Sequence, residues 1–562
     1  MKKIILSAAF ALITFCASAA FGDIFSEMYL NYLVMDDDAS TDYPKVWVIG
    51  PSTAGSTQPN LSLSIPTAVT HDGVTYRVTQ IDAKAFSGKT NIVQASIGYG
   101  ITHIGNEAFK GCSKLVYVRI PSSIQSIGDN AFASCSALKE VNIANADPST
   151  FTTSASAFPS NSGMTLGVAK TNDLRTVTAF NNLSQYSKFA TIELSSAAYD
   201  FTTDDSFAMC VTKAPSKNVP GEVKLVGVFG NSTGAFAPKA TYTHSVYSYK
   251  LVATGFRSCK DQTQIKSFDF SNATNLKTID CYTFSGCTNL TSVNLGSTVD
   301  QIELYAFENV PISSITIPKS VSYIGYLAFN KCPNLSAISV DSNNPFYKSS
   351  YGVLYMYLKG DKWDLVCCPA AFPYTAFYEY MFPSQVTVID CNAFAFCTNL
   401  KTIHIPYGVQ KLKDYLFNAA LQEVKIPGSV SEFDADAFGN ASGLQRIFIN
   451  ITTPPTITIF PATPANLYVP YGFVSNYKSA AFWKNCVNIQ DGSYDVPEAC
   501  TKTVSGTLLN DVRSGFTITS TAATTINGTT YDGTMKLSSQ QAPTEAATLK
   551  IPASVSHDSK TW

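Results

Sequence analysis

A repeat of about two dozen residues constrains the fold of this chain more than any other feature. The segment at 104–123 is followed at 127–146 by a near copy that keeps the apolar positions and changes the polar ones. An Ala-Phe pair or its variant marks the register, and phenylalanines recur every 21 to 23 residues in three series: Phe86, Phe109 and Phe132; Phe284, Phe307 and Phe329; Phe394, Phe417 and Phe438. A period in this range predicts a solenoid in which each repeat is one coil.

Each repeat ends in a pattern typical of a β-strand with one buried face. Leu115, Val118 and Ile120 represent the pattern L-x-x-V-x-I, whose last residues alternate between apolar and polar. Proline often follows and ends the strand, because it has no backbone N–H to donate. The piece A-F-x-x-C puts Phe109 and Cys112 on one face and predicts a short helical turn before the strand. Stacking of neighbouring coils would then bury both kinds of apolar side chain.

The fuller pattern I-G-x-x-A-F-x-x-C-x-x-L-x-x-V-x-I-P-x-S is clearest at 104–123 and 324–340. It resembles the BspA-like family of bacterial leucine-rich repeats, and the resemblance covers about 60–140 and 265–490. The resemblance implies a curved solenoid with a parallel sheet along one face. It also implies a secreted or surface-exposed bacterial protein that acts in adhesion or protein binding.

Breaks in the repeat predict the organisation of the chain. We expect a β-rich leucine-rich-repeat solenoid, built from a parallel sheet with short helical turns, in two arrays with β caps and a small C-terminal all-β segment. The expected parts are a signal peptide at 1–19, an N-terminal β cap at 20–80, a first array at 81–165, a linker and second β cap at 166–264, a second array at 265–490 with a β-hairpin insertion at 342–385 and a C-terminal cap, and a partial β-sandwich-like segment at 491–562.

The N-terminus predicts export. Lys2 and Lys3 precede a short apolar run that ends at Phe15, and Ala-Ser-Ala at 17–19 forms a cleavage site. A lipidated Cys16 is the alternative, although Phe15 occupies a position where lipoprotein signals place a small residue. Because no other apolar stretch reaches ~20 residues, no membrane span is expected in the mature chain.

Charge excludes some classes of partner. The formal net charge is −2, and charged residues make up 14% of the chain, below the usual ~25%. Nucleic acid is therefore not an expected partner, since there is no basic field to attract it. Host or bacterial surface proteins or glycans are the expected partners, and no cofactor is expected.

Motifs for catalysis are scarce. The sequence GNSTG at 230–234 matches G-x-S-x-G, but the following segment with Pro238 is a poor helix, which favours a turn over a nucleophile elbow. The five histidines show no ligand spacing, and His103 and His404 are expected to face solvent. We therefore predict no enzyme, no catalytic residues and no metal site. A hydrolytic or carbohydrate-active protein with its chemistry in 165–260 or 491–562 remains the alternative, as does a purely structural surface protein.

Cysteine usage favours packing over chemistry. Removal of Cys16 leaves an odd number, thirteen, and five of these stand three residues after a repeat phenylalanine: Cys112, Cys135, Cys287, Cys332 and Cys397. That regularity predicts a column of buried thiols. A ladder of disulfides is the alternative, and Cys367-Cys368 could place one sulfur outward.

The outward positions of the strands are the predicted binding surface. As a set they form a stripe of mixed polar groups without one charge sign, and the concave sheet of a solenoid commonly binds partners. For any single residue, a solvated surface position is the simpler interpretation. The candidates are Tyr117, Arg119, Glu140, Asn142, Asn294, Thr316, Thr402, His404, Glu423, Lys425, Arg446 and Phe448.

Overall fold

The computed structural model describes residues 21–36, 43–170, 175–204, 206–457 and 466–492, with the backbone of six short strands between 516 and 561. The predicted signal peptide, its cleavage site and Cys16 lie outside these residues. The chain divides into two compact units. Unit 1 consists of the residues up to 265 together with 269–285 and 301–306. Unit 2 consists of 266–268, 286–300 and the residues from 307 onward.

Two sheets run through the repeats of unit 1. The first, the long-strand sheet, is parallel and consists of Leu61–Ile65, Ile92–Ile97, Tyr117–Ile120, Glu140–Ile143, Thr165–Ala169 and Thr191–Ser195. The second contains Ile24–Glu27, Leu30–Asp36, Lys45–Pro51, Ala68–His71, Val74–Ile81, His103–Ile104, Ser126–Ile127 and Thr152–Thr153. Its pairing is antiparallel near the N-terminus and becomes parallel from Lys45–Pro51 to Val74–Ile81 and beyond. Short helices lie at Thr53–Thr57, Arg175–Asn181 and Ser184–Tyr186.

The strand register of the long-strand sheet follows the sequence period. Val118 pairs with Val141 and Ile120 with Ile143, so equivalent residues of successive repeats align. These side chains are fully buried, as the period-two alternation predicts. The solenoid of stacked parallel strands expected from the sequence is therefore confirmed.

The repeat phenylalanines form a continuous stack in the core of unit 1. Ring centroids lie 5.0 Å apart between Phe86 and Phe109, 5.1 Å between Phe109 and Phe132, and 5.4 Å between Phe132 and Phe158. All four side chains are at most 2% exposed. Each ring therefore fills the space between two coils, and this stacking is what a single repeat lacks.

The predicted helical turn is present as a run of turns, each closed by a hydrogen bond between residues three positions apart. The N–H of Lys110 donates to the carbonyl of Glu107, and the N–H of Cys112 donates to that of Phe109, both at 3.1 Å. The turns do not extend into a helix because the Phe109 N–H donates to Ala131 of the next coil, at 2.7 Å. The hydrogen bonds between coils thus continue through the turns.

The residue two positions before Phe86, Phe109 and Phe132 has left-handed backbone. Lys84, Glu107 and Asn130 have φ of 60°, 58° and 57°. This conformation costs roughly 1–2 kcal/mol for a residue with a Cβ. In these three coils the N–H of the phenylalanine two residues later donates to a backbone carbonyl of the next coil.

The five repeat cysteines form a column of buried thiols, as the sequence predicts. All five repeat cysteines are fully buried, and no disulfide joins any of the twelve cysteines that the structure describes. The thiols of Cys112, Cys135 and Cys332 donate to the carbonyl of the repeat phenylalanine of the preceding coil, at 3.0–3.2 Å. Burial raises the pKa of the Cys332 thiol to about 12. The thiols therefore provide hydrogen-bond donors for backbone carbonyls between coils. Of the adjacent pair Cys367-Cys368, Cys368 is buried and Cys367 is half-buried.

Residues 196–254, here called the covering segment, leave the repeat pattern. Their strands are Phe201–Thr202, Phe207–Lys213, Gly221–Val228, Ala235–Phe236, Thr241–His244 and Tyr247–Thr254. Most pair antiparallel, but Tyr247–Thr254 runs parallel to Gly221–Val228 and then to Thr278–Ile279, which pairs with Gln301–Ile302. Parallel pairing thus returns where the repeats resume.

Unit 2 contains the later repeats. Its long strands are Ser314–Ile317 and Ala337–Val340, which pair with each other, and Ala376–Phe377, Thr402–His404, Glu423–Ile426, Arg446–Ile449, Asn466–Val469 and Asn488–Asp491, which form one parallel sheet. A second sheet contains Tyr347–Ser350, Val353–Leu358, Lys362–Cys367, Val386–Ile389, Lys411–Leu412 and Glu432–Phe433. Further elements are Tyr323–Ile324, Ser292–Asn294, the helix Val474–Ser479, and the single turns Glu379–Met381 and Trp483–Asn485; Ser267–Asp269 lies at the division of the units.

The hairpin insertion lies in the second of these sheets. Tyr347–Ser350 and Val353–Leu358 pair antiparallel, and Tyr351 and Gly352 turn between them with φ of 51° and 77°. A residue other than glycine or asparagine is uncommon at such a φ. Tyr351 therefore occupies a strained position, and it is 50% exposed.

The C-terminal segment is described only as backbone strands. Phe516–Thr519 pairs with Thr534–Leu537, Thr524–Ile526 with Thr529–Tyr531, and Ser556–His557 with Lys560–Thr561, all antiparallel. The Asn-Gly and Asp-Gly pairs at 527–528 and 532–533, which predict turns, lie outside the described residues. A partial β-sandwich at 491–562 stays a prediction.

Candidate functional site

In unit 2 the candidate residues form two columns on one sheet face. Thr402 pairs with Glu423 and Glu423 with Arg446, whereas His404 pairs with Lys425 and Lys425 with Phe448. The intervening Ile403, Val424 and Ile447 point into the core and are fully buried. The alternation of each strand thus brings six of the twelve candidates onto one surface.

Charged side chains interlock across this surface. Glu423 Oε1 lies 3.2 Å from His404 Nε2, and Glu423 Oε2 accepts a hydrogen bond of 2.8 Å from Arg446 Nε. Lys425 Nζ lies 3.9 Å from Glu423. On the other side, His404 Nδ1 is 3.5 Å from Oε1 of the buried Glu379, which has no hydrogen-bond partner among the described residues. His404 therefore lies between two carboxylates.

The pKa values follow from this arrangement. The hydrogen bond with His404 holds the pKa of Glu423 at about 2, against the opposing effect of its partial burial. Burial acts to lower the pKa of His404, but the two carboxylates outweigh it and the pKa is raised. Burial lowers the pKa of Lys425. The histidine and Glu423 thus each stabilise the charged form of the other.

Aromatic rings continue the second column at both ends. Tyr378 packs edge-on against His404, with ring centres 4.9 Å apart, and Phe448 stacks on Tyr468 at 4.3 Å. Lys425 Nζ lies 5.4 Å from the centre of the Phe448 ring. We define the second strand face by seven residues: Tyr378, His404, Glu423, Lys425, Arg446, Phe448 and Tyr468. It combines flat apolar rings with donors and acceptors of both charges.

Three members of this neighbourhood do not come from the sequence pattern. Tyr378 and Glu379 follow a two-residue strand with no recognisable repeat, and Tyr468 lies where a cap was expected. The alternation Leu467-Tyr468-Val469 is the signal that could have found Tyr468, since its neighbours are fully buried. Tyr378 and Glu379 carry no such signal.

The corresponding face of unit 1 is not open. Tyr117 pairs with Glu140 and Arg119 with Asn142 as expected, but Asn142 is fully buried. In unit 2, His404 is likewise only 8% exposed. The expectation that these two side chains face solvent is wrong. Asn142 lies against Gly167, where an added Cβ would come within 2.0 Å of its Oδ1.

The covering segment closes part of the face of unit 1. Tyr199 lies over the guanidinium of Arg119, whose carbon is 4.0 Å from the ring centre. Asp200 is 4% exposed and accepts three hydrogen bonds of 2.7 Å, from the hydroxyl and N–H of Ser122 and from the N–H of Val211. Burial raises its pKa to about 6. The carboxylate thus joins the covering segment to the first array.

Asn294 and Thr316 belong to neither surface. Both side chains are exposed, and Asn294 accepts a hydrogen bond from the N–H of Gly296 at 3.0 Å. Thr316 pairs with Ser339 in a separate two-stranded sheet. Asn294 is therefore a strand residue whose side chain bonds the turn that follows, and the structure does not bring the two candidates to the second strand face.

The G-x-S-x-G match adopts a turn. Asn231 accepts hydrogen bonds from the N–H and the hydroxyl of Thr233, and the strand Ala235–Phe236 follows. A nucleophile elbow requires a helix after the serine. The local structure therefore supports the turn interpretation. Among described residues, no cluster of three metal-ligating side chains occurs, and no helix is long and apolar enough to cross a membrane.

Comparison with known proteins identifies the repeat. The BspA-type leucine-rich-repeat region matches this chain in six copies, over residues 73–187, 255–351 and 368–461, which is more than half of its length. The chain belongs to the BspA-type leucine-rich-repeat family. This agrees with the resemblance noted from the sequence pattern alone. No curated protein matches the chain.

Several solved structures resemble this BspA-type chain. A leucine-rich cell surface protein from Faecalibacterium prausnitzii is 18% identical, with 84% of this chain and 96% of that one covered and a TM-score of 0.34. The pneumococcal vaccine antigen PcpA is 14% identical, with 85% and 100% covered and a TM-score of 0.31. A leucine-rich repeat protein from Bacteroides ovatus is 17% identical, with 84% and 100% covered and a TM-score of 0.30.

Proposed function

We propose that this chain is exported and binds a protein or glycan partner through the second strand face, without catalysing a reaction. One observation carries the proposal. Outward side chains of successive coils lie in register, with Arg446 46% exposed at its side chain and Phe448 stacked on Tyr468. Aromatic rings and arginine are enriched where proteins bind partners.

The interlocked charges support recognition over simple solvation. Glu423 orients Arg446 and is itself oriented by His404, so the donors and acceptors of the face are held before a partner arrives. Preorganised groups lose less conformational entropy on binding than free surface side chains do. A merely solvated stripe would not need a buried Glu379 behind His404.

The proposal is tested on the full mature chain, with a glycan array and a pull-down from host and bacterial surface proteins. The triple variant Arg446→Ala, Phe448→Ala, Tyr468→Ala should lose any partner that the wild type binds. Tyr323→Ala is the matched control, because it removes a 47%-exposed ring from a strand outside the second strand face. An unchanged partner profile in the triple variant would contradict the proposal, and the absence of any partner for the wild type would favour a purely structural role.

Export is tested separately. Cell fractionation followed by protease treatment of intact cells should degrade the chain at the surface or find it in the medium. A chain that stays protected inside the cell would contradict the export part of the proposal and leave the binding part standing.

A further inference from the structure

Three stretches of the chain share one strand topology. In each, three strands pair antiparallel, and the third then pairs in parallel with the strand that opens the next series of coils. We call these stretches the first, second and third meanders. Their strands are Ile24–Glu27, Leu30–Asp36 and Lys45–Pro51 in the first, Phe201–Thr202, Phe207–Lys213 and Gly221–Val228 in the second, and Tyr347–Ser350, Val353–Leu358 and Lys362–Cys367 in the third. The covering segment and the hairpin insertion thus each repeat the strand arrangement of the N-terminal residues.

A shift in strand register falls at the same place in all three meanders. Between the last meander strand and the parallel strand beside it, the shift comes immediately before Trp47, Lys224 and Asp364. A register shift of this kind re-aims the neighbouring side chains. The three residues are therefore structural equivalents, and the chain places an uncharged ring, a cation and a carboxylate at the same position.

The second and third meanders use this position for an ion pair of opposite polarity. At the second meander, Lys224 Nζ lies 3.3 Å from Asp280 Oδ2. At the third, Asp364 Oδ2 lies 3.6 Å from Lys413 Nζ. Asp280 and Lys413 each come directly after the second parallel strand beyond the meander. The charges are thus exchanged, but the contact is the same.

The third meander differs by one additional carboxylate. The residue after the first parallel strand is Gly255 beside the second meander and Asp390 beside the third. Lys413 Nζ lies 2.8 Å from Asp390 Oδ1, which is closer than its distance to Asp364. Asp390 Oδ1 also accepts a hydrogen bond of 2.8 Å from the N–H of Cys391. One ammonium group therefore serves two carboxylates, and Asp390 takes the shorter contact.

Asp364 is the less solvated of the two carboxylates. Its side chain is 4% exposed, against 25% for Asp390, and its Oδ1 has no hydrogen-bond partner among the described residues. The residue opposite on the neighbouring meander strand is the uncharged Met356. An ionised carboxylate in such a site is costly, so a proton on Asp364 is favoured. Burial, with a contribution from Asp390, raises the pKa of Asp364 to about 7, against the opposing effect of Lys413.

The charged surroundings of Asp364 come from the coils beside the meander. Asp390 and Lys413 act on it directly, whereas Cys391 interacts with Lys413, and Asp414 with Cys391. Burial acts to lower the pKa of Lys413, but Asp390 and Asp364 outweigh it and the pKa is raised. The lysine therefore keeps its charge near neutral pH while Asp364 gains or loses its proton.

We propose that the carboxyl of Asp364 is a pH-sensitive contact: its proton holds the third meander against the coils of unit 2, and its ionisation loosens the meander. Loosening uncovers the edge of Val386–Ile389, the parallel strand next to the meander, and an unpaired edge can accept another strand. At the second meander, Gly255 stands in place of the additional carboxylate. The proposal does not depend on the second strand face.

Ionisation of Asp364 weakens the contact as pH rises. The pKa of this carboxyl is raised from 3.8 to about 7 in the folded chain. Its contribution to holding the meander is therefore complete below about pH 3.8, falls as pH rises, and is lost above about pH 7. Hydrogen exchange of the full mature chain measures this contribution. Protection factors of the amides at 353–367, corrected for the intrinsic exchange rate, should fall about 10–100-fold between pH 5 and 7 and level off above pH 8.

Variants assign the fall to Asp364. Asp364→Asn keeps the shape of the side chain without its titration, so the fall should shrink to less than about 2-fold. Asp390→Asn removes the second carboxylate, which lowers the pKa of Asp364 and should make the fall smaller than in the wild type. This variant keeps the test decisive where Asp364→Asn does not fold. Asp361→Asn is the matched control and should keep the full fall, because it changes an exposed aspartate of the same hairpin at a φ of 57° that asparagine tolerates.

The proposal is wrong if protection at 353–367 does not change with pH in the wild type, if folded Asp364→Asn retains the fall, or if Asp361→Asn loses it as completely as Asp364→Asn does. A fall that Asp390→Asn leaves unchanged would equally contradict it, since the two carboxylates would then act independently.

Discussion

The two strand faces of this chain begin from the same pattern and end in different surroundings. In unit 1, Tyr199 and Asp200 of the covering segment pack against Arg119 and Ser122, and Asn142 is fully buried. In unit 2, Arg446 keeps a side-chain exposure of 46%, and the charges of the face contact one another. An outward position in a repeat is thus only available to a partner where the chain itself leaves it uncovered.

The difference between the two faces also appears in the carboxylates of Asp200 and Glu423. Asp200 is bonded by neutral donors and its pKa is raised to about 6 by burial, whereas Glu423 contacts His404 and Arg446 and its pKa falls to about 2. The carboxylate of Asp200 thus joins two parts of unit 1, whereas that of Glu423 belongs to the charged second strand face. Four predictions sharpen this comparison.

The core that both faces share should dominate stability. Phe109→Ala should lower the free energy of unfolding by about 3–5 kcal/mol, because it opens a cavity between Phe86 and Phe132. Urea denaturation of the full mature chain, followed by circular dichroism, measures it. Phe109→Leu is the control and should cost clearly less, and a loss under about 1 kcal/mol for the alanine variant would contradict the stacked core.

The contact between the covering segment and the first array should come next. Asp200→Ala should lower the free energy of unfolding by about 2–4 kcal/mol, because it leaves the N–H groups of Ser122 and Val211 without an acceptor. Hydrogen exchange should rise at residues 196–254 and stay unchanged in unit 2. Equal exchange in both units would show that the covering segment does not depend on this carboxylate.

The two carboxylates should respond to pH with opposite signs. The pKa of Asp200 is raised from its usual 3.8, so its contribution to stability is largest at low pH and falls as pH rises through about 6. The pKa of Glu423 is lowered from 4.5, so its contribution, ~1 kcal/mol after allowance for solvent screening, is present above pH 4.5 and lost toward about 2.

Urea denaturation of Asp200→Asn and Glu423→Gln between pH 3 and 7 measures these signs. The difference between wild type and variant should fall with rising pH for Asp200 and, up to about pH 5, where His404 stays protonated, rise with pH for Glu423. The same sign for both would contradict the contrast between the faces.

The last prediction separates two arginines at outward positions of their strands. Arg119→Ala should cost about 1–2 kcal/mol, because the guanidinium packs on Tyr199 in a half-buried site. Arg446→Ala, at an exposed ion pair, should stay within about 0.5 kcal/mol. Thermal unfolding of both variants checks the order, and equal losses would mean that the face of unit 1 is as open as that of unit 2.

Much of the second strand face follows from sequence because its spacing is periodic. Glu423, Lys425, Arg446 and Phe448 occupy outward positions that the alternation identifies. The contact of the covering segment with the first array does not follow in this way, since it joins Arg119 and Ser122 to a segment without repeats. A prediction based on the spacing of the repeat identifies only residues that recur with that spacing.

The amino-acid sequence by itself determined the coil length, the strand register and the buried columns of Phe, Val, Ile and Cys. These depend on contacts between residues one repeat apart, which a local pattern encodes. Only the tertiary structure decided which outward side chains stay accessible and that His404 lies between Glu379 and Glu423. Ser122 and Asp200 are 78 residues apart, and no local pattern encodes a contact over that distance.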